Sequence, residues 1–265
     1  MLVTGSTDGI GKQTALELAR GGARVIVHGR NRPRVEQAIA ELRAAVPGAE
    51  LEGVSFDLGS LASVRKAAVG IAEKHPAIHV LVNNAGVYSQ ERILTEDGIE
   101  LTLAVCHAGH FLLTQLLTPQ LLAGAPARVI NVASIAHTRG VIHLDDLSLA
   151  RGFSGYAAYA QAKLANVMHA RALAERHPAD AIAAYSLHPG VIGTKLLREG
   201  FGPVRGGTLA QGARTSVTLA LSAEIDARSG SYFSEGTPTP PAAAALDDDV
   251  GRALWAASER MTGLA

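Results

Sequence analysis

Tyr159-Ala160-Gln161-Ala162-Lys163 sets a phenol and an ammonium four residues apart. On a helix that spacing brings both side chains to one face. A phenol ionises near pH ~10, so it is a weak base at neutral pH, and a nearby ammonium favours its phenolate. Such a pair can give a proton to a carbonyl oxygen or take one from an alcohol. By itself the pattern is common and most often structural. Tyr156 shows the contrast, because Ala160 and not a lysine stands four residues on. Ser134 closes the run Val129-Ile130-Asn131-Val132-Ala133-Ser134. Ligands bind beyond the carboxyl ends of parallel strands, so this hydroxyl is a candidate donor to a reacting oxygen or simply a polar strand terminus. No glycine brackets it, which leaves a hydrolase nucleophile elbow unsupported.

Thr4-Gly5-Ser6-Thr7-Asp8-Gly9-Ile10-Gly11 lies between a first strand and a first helix. Glycines let backbone N–H groups approach a pyrophosphate, and the helix N-terminus adds a partial positive charge. The spacing is G-x-x-x-G-x-G, not the G-x-G-x-x-G of the usual dinucleotide fingerprint. At the end of the second strand, His28-Gly29-Arg30 lacks the acidic residue that would bind a ribose 2′-hydroxyl. Arg30, with Arg32 and Arg34 close by, instead suits a 2′-phosphate, which favours NADP(H) over NAD(H).

Alternating β-rich and helical patterns must position these groups. Strands are expected at Leu2-Val3, Arg24 to His28, Leu51 to Phe56, Val80 to Asn83, Arg128 to Val132 and Ile182 to Ser186, with a last one at Ser231 to Phe233. Helices read at Ile10 to Arg20, Pro33 to Ala45, Leu61 to Lys74, Leu101 to Leu117, Tyr156 to Arg176, Gly207 to Ser222 and Val250 to Met261. The alternation predicts an α/β fold in one domain over residues 1–265, a Rossmann-type three-layer sandwich. Its central, mostly parallel sheet has about seven strands, with helices on both faces. Gly200, Gly202, Gly206 and Gly207 mark an irregular stretch, expected to be a mobile surface loop at about 193–210.

The composition is that of a packed globular protein: 48% hydrophobic residues and 28 glycines in 265 positions. Lys plus Arg and Asp plus Glu both number 24, so no net field draws nucleic acid or a membrane surface. One cysteine, Cys106, excludes an internal disulfide and fits a reducing, cytoplasmic setting. No apolar run reaches the roughly 20 residues of a membrane span, and the short N-terminus leaves no room for a signal peptide. The first strand is short, so the native start is also compatible with a position upstream of Met1. The ten histidines form no spaced ligand set, and no metal is expected.

In this order, Thr4-Gly5 through Gly11, Asn83-Asn84-Ala85-Gly86, Ser134, Tyr159-x-x-x-Lys163 and Pro189-Gly190 resemble the short-chain dehydrogenase/reductase family. The resemblance runs from end to end. Gly109-His110-Phe111-Leu112-Leu113-Thr114 and Tyr185-Ser186-Leu187-His188-Pro189-Gly190 look closest to its retinol-dehydrogenase-like and WW-domain-oxidoreductase-like branch. It implies Ser134, Tyr159 and Lys163 as catalytic residues. Gly5, Ser6, Thr7, Asp8, Gly9, Ile10, Gly11 and Arg30 would hold the phosphates. Asp57 and Leu58 would meet the adenine, and Asn83, Ala85 and Gly86 the adenosine ribose. Lys163 would bind the nicotinamide ribose beside Tyr159, and Ile192 and Thr194 the carboxamide. The resemblance further implies a substrate lid over Leu196 to Gly207 and a homodimer or homotetramer.

One departure concerns the proton relay. The family usually has asparagine where this chain has Cys106, and a thiol cannot replace an amide. Either the enzyme is slower or rearranged, or the main-chain carbonyl does the essential work. Leu196, Leu197, Phe201 and Val204 suggest an apolar pocket for a small carbonyl or alcohol substrate. A second reading is an NADP-binding sensor or scaffold that has lost its chemistry, although Ser134, Tyr159 and Lys163 are all retained. A third is an epimerase or dehydratase, against which the glycine spacing and the lack of a large C-terminal domain both count.

Overall fold

Leu2 and Val3 are neighbours in sequence but belong to different cores, and that alternation organises the whole sheet. The computed structural model describes residues 1–202 and 205–265. In chain order it comprises β1 (Leu2–Val3), α1 (Gly9–Arg20), β2 (Val25–Gly29), α2 (Arg32–Ala45), β3 (Leu51–Ser55), α3 (Leu61–Lys74) and β4 (Val80–Asn83). Then follow α4 (Leu101–Leu103), a π-helical turn (Ala104–Ala108), α5 (Gly109–Leu116), α6 (Thr118–Ala123), β5 (Ala127–Val132), a 3-10 turn (Ile135–Arg139), α7 (Gly155–Arg176) and β6 (Ile182–His188). The chain ends with α8 (Lys195–Phe201), α9 (Leu209–Leu221), β7 (Tyr232–Ser234), β8 (Thr237–Pro238), a 3-10 turn (Ala243–Leu246) and α10 (Asp248–Thr262).

The sheet order is β3-β2-β1-β4-β5-β6-β7-β8. Every pairing is parallel except β7 with β8. Successive strand side chains point to opposite faces, and both faces are covered, so the strands read as continuous apolar runs. Val25, Val27, Val80 and Val82 join the core under α1, α2 and α9, while Ile26 and Leu81 join the core under α3, α5, α7 and α10. After β3 the chain crosses over to start β4 on the other side of β1. That switch opens a crevice at the carboxyl ends of β1 and β4.

One expectation is refined and two are corrected. Among the described residues the sheet has eight strands, where about seven were expected. Pro238 and Pro240 suggest a loop, but proline is tolerated on an edge strand, and β8 closes a hairpin through Glu235 and Gly236 at φ 50° and 96°. The glycine-rich stretch contains α8, started by Thr194 accepting from Leu197 N–H at 3.2 Å, and Ile192 bridges Gly207. The helix expected over Leu101 to Leu117 is interrupted by the π turn. Val204 and the Phe201 side chain, assigned above to the substrate pocket, lie outside the described residues. Among the described residues no helix is long and apolar enough to cross a membrane.

Candidate active site

The carboxyl ends of β1, β4, β5 and β6 and the start of α1 border one cleft of about 950 Å³. Its phosphate end is the turn from Thr4 to Gly11. Gly5 sits at φ +64°, and a Cβ there would lie 2.8 Å from Ala85 Cα. A Cβ on Gly11 would lie 2.3 Å from Gly5 O. Side chains are therefore excluded where the turn packs on the β4 loop, and Gly5, Thr7, Asp8, Gly9, Ile10 and Gly11 all border the cleft. Asp8 caps α1 by accepting from Gly9 N–H at 2.7 Å. Ser6 faces inward: its hydroxyl donates to Val3 O at 2.7 Å and accepts from His28 N–H at 2.9 Å, stapling the turn to β2.

His28, to which the sequence assigned no role, is part of this cradle. Its Nδ1 accepts from Gly5 N–H at 3.0 Å, so its Nε2–H donates to Phe56 O at 3.1 Å. Burial lowers its pKa to about 4, which keeps the imidazole neutral in that tautomer. Gly29 follows. A Cβ at this position would lie 2.5 Å from Thr7 Cγ2, so an acidic side chain has no room. Arg30 is exposed, 3.9 Å from Asp57 Oδ2, and Arg34 also borders the cleft. Asp57 Oδ1 accepts from Gly59 N–H at 2.8 Å, and Leu58 is buried beneath that rim.

Asn83 needs correction. It is the last residue of β4 and points into the sheet, donating to Asn131 Oδ1 at 2.9 Å and Thr114 Oγ1 at 3.1 Å. Asn84 borders the cleft instead, with Ala85 and Gly86. Thr4 Oγ1 accepts from the N–H groups of Asn84 at 2.8 Å and Ala85 at 3.0 Å. His110 completes this clamp. Its Nδ1–H donates to Cys106 O at 3.1 Å, and its Nε2 accepts from the Thr4 hydroxyl at 2.8 Å.

At the other end of the cleft Ser134, Tyr159 and Lys163 converge. Ser154 caps α7 by accepting from Ala157 N–H at 3.1 Å, an interaction typically worth about 1 kcal/mol, and so fixes the turn that carries Tyr159. Ser134 Oγ accepts from Ala136 N–H at 3.2 Å, and the hydroxyl lies near enough to the Tyr159 phenol to favour its ionised form. Burial, then the Cys106 thiol, push the Tyr159 pKa above its ordinary value, with Ser134 opposing them. Lys163 Nζ donates to Val132 O at 2.9 Å and lies 5.5 Å from the Tyr159 ring centre. Its own pKa is lowered by burial. His137, which the sequence leaves in a loop without a role, ties the Ser134 backbone in place. It donates from Nδ1 to Ser134 O at 2.7 Å and accepts from Ala242 N–H at 3.1 Å. Ile192 and Thr194 border the cleft beside these groups.

Cys106 is fully buried in the π turn, with Sγ 3.6 Å from Val87 O. Its carbonyl is fixed by His110, independently of the side chain. Cys106→Asn is therefore expected to change turnover by less than about threefold in steady-state assays, whereas a gain of about tenfold would show that the amide matters.

The arrangement fits a nicotinamide dinucleotide. A glycine-rich turn at a helix N-terminus suits the phosphates, and a phenol with an ammonium nearby sits at the far end. Among the described residues no group of three or more His, Cys, Asp or Glu is placed to hold a metal. Comparisons agree with the geometry. The family model described as short chain dehydrogenase matches residues 1–201. Human retinol dehydrogenase 13 is 40% identical over all of this chain and 84% of its own length. Human dehydrogenase/reductase SDR family member 13 is 41% identical over 99% of this chain and 73% of its own. A crystal structure of an uncharacterised Mycobacterium paratuberculosis protein superposes with TM-score 0.81 and 34% identity, covering 99% of this chain and 92% of that one. The Pseudomonas aeruginosa RhlG/NADP active-site complex gives TM-score 0.72 and 26% identity over 88% and 93% of the two chains.

Proposed function

The chain belongs to the short chain dehydrogenase family, and on that premise we propose that it is an NADP(H)-dependent carbonyl reductase and alcohol dehydrogenase acting on small apolar substrates. The observation that carries this reading is the convergence of Ser134, Tyr159 and Lys163 in the same cleft as the glycine turn. The nicotinamide, when bound, supplies or accepts the hydride. Tyr159 donates its proton to the carbonyl oxygen. Ser134, beside the phenol, donates to that same oxygen. Lys163 places positive charge near the phenolate left behind, which favours the anion. With its pKa raised, Tyr159 is protonated at neutral pH, the form on which carbonyl reduction draws.

The preference for NADP(H) rests on Arg30 and Arg34 at the rim and on the lack of room for an acid at Gly29. A guanidinium meets a phosphate through paired, charge-assisted bonds that a hydroxyl cannot match. Arg30→Ala is expected to weaken NADPH binding about tenfold or more and to leave NADH within about twofold. The emission of the bound nucleotide is the signal to titrate, because Trp255 lies on α10, packed on Phe111 and Arg176. Consumption of NADPH with a panel of apolar aldehydes and ketones then tests the activity. Binding without turnover of any of them would favour a nucleotide sensor, and equal loss of both nucleotides in the variant would remove the 2′-phosphate assignment.

A further inference from the structure

Tyr88 stands two residues beyond Gly86, and three elements meet on its side chain. The Tyr159 ring centre is 5.8 Å away, at 55° between the planes. On α8, a Cβ at Gly200 would come within 2.9 Å of Tyr88 Cγ and 3.2 Å of both Cδ atoms. On α7, a Cβ at Gly155 would lie 2.2 Å from Ser89 O and 3.1 Å from Tyr88 Oη. Neither glycine has a positive φ, so the backbone does not require glycine at these positions; the space does. Leu196, one helical turn before Gly200, packs with Tyr88 on Tyr159, Ala136 and Ala160. The inner face of α8 is thus seated on the Tyr88 ring, directly beside the catalytic phenol.

We propose that Tyr88 is a specificity-determining residue: it is the stop on which α8 closes, and it selects carbonyls with one narrow substituent, aldehydes and methyl ketones. The inference rests on the reductase reading. The two substituents of a carbonyl held at Tyr159 diverge. One has an open route past Ile135 and Val191, both about half-exposed at the border of the cleft. The other meets Leu196, which borders the cleft on α8, and the Tyr88 ring behind it limits how far that helix yields, because Gly200 already approaches the ring as closely as a residue without a side chain can.

Two measurements test this. The first is hydrogen exchange of the backbone amides of residues 196–202 in a double-mutant cycle. Gly200→Ala is expected to raise exchange about tenfold, although alanine is the better helix former. In a Tyr88→Ala background the same change is expected to leave exchange unaltered or slow it, because the ring it strikes is gone. Equal effects in both backgrounds would overturn the stop. The second compares matched aldehydes and branched or aryl ketones. Tyr88→Ala is expected to raise the ketone-to-aldehyde ratio of kcat/KM about tenfold, with NADPH affinity within about twofold. Tyr88→Phe keeps the ring and is expected to keep the wild-type ratio. A ratio unmoved in Tyr88→Ala, with turnover intact, would overturn the specificity role. Failure of the wild type to turn over any of these carbonyls would overturn the reductase reading and the specificity role with it, while the exchange cycle separately decides whether Tyr88 is the stop.

Discussion

Replacing Tyr159 by phenylalanine is expected to lower kcat for carbonyl reduction by about 10³-fold, within the range attributed to a positioned general acid. The substitution deletes one oxygen and keeps the ring that packs with Ala136, Ala160, Tyr88 and Leu196. Lys163 retains its bond to Val132 O, so NADPH affinity is expected to stay within about twofold. Single-turnover oxidation of bound NADPH separates the two quantities. A variant retaining more than about a tenth of the rate would show that Ser134 or solvent supplies the proton instead.

The same phenol sets the pH dependence. Its pKa is raised, first by burial, so the acid form persists from neutral into mildly alkaline solution. Reduction is therefore expected to be flat between about pH 6 and 9, whereas alcohol oxidation, which needs the phenolate, rises about tenfold per pH unit over that range. A reduction rate that fell as pH rose through neutrality would contradict this assignment.

The sequence made the pairing of Tyr159 with Lys163 legible because a four-residue spacing on a helix is a local property, and α7 is long and regular enough to keep it. The parallel sheet was legible for a related reason: strands covered on both faces must be apolar at every position. What the sequence hid depends on contacts distant in the chain. Two adjacent asparagines, Asn83 and Asn84, differ only in which side of the last β4 peptide they leave, and that register placed Asn84, not Asn83, at the cleft. Gly29 looks permissive, yet its significance is steric and comes from Thr7 across the turn. The π turn arises where Gly109 packs so closely on Leu58 O that a Cβ would lie 2.3 Å from it, a contact no periodicity reveals. Helix α8 lies among glycines, whose propensity argues against a helix. Its cap at Thr194 and the seating of Leu196 and Gly200 on Tyr88 outweigh that propensity.

Lowering the pH from 7 to 5 is expected to destabilise the fold by on the order of 6 kcal/mol, a large share of the roughly 5–15 kcal/mol that holds such a domain together. The cause is buried imidazoles: His28, His107 and His110 together account for that figure, and His169, held well below its ordinary value by burial, acts in the same direction. Burial lowers His28 and His107 to about 4 and His110 to about 3. Burial keeps each ring neutral and hydrogen bonds fix its tautomer: His28 between Gly5 N–H and Phe56 O, His110 between Thr4 and Cys106 O, and His107 donating to Ser258 Oγ, whose own proton goes to Leu254 O. In the unfolded chain a histidine takes up its proton near pH ~6.5. Between that value and the folded pKa values the unfolded state binds more protons, so stability is full above about pH 6.5 and falls as pH drops toward 4. Denaturant melts at pH 7, 6 and 5 give the slope. His107→Gln, remote from the cleft, is expected to reduce that slope by about one proton. Constant stability from pH 7 to 5 would show that these rings are not held neutral in the folded protein. Function follows the same window, because protonating His28 at Nδ1 breaks the bond that orients Gly5, and protonating His110 at Nε2 removes the acceptor of the Thr4 hydroxyl that positions Asn84 and Ala85. Nucleotide affinity is therefore expected to decline together with stability, ahead of any loss from the ion-paired carboxylates of Glu41, Asp145 and Asp146, whose pKa values are lowered and which keep their charge to lower pH.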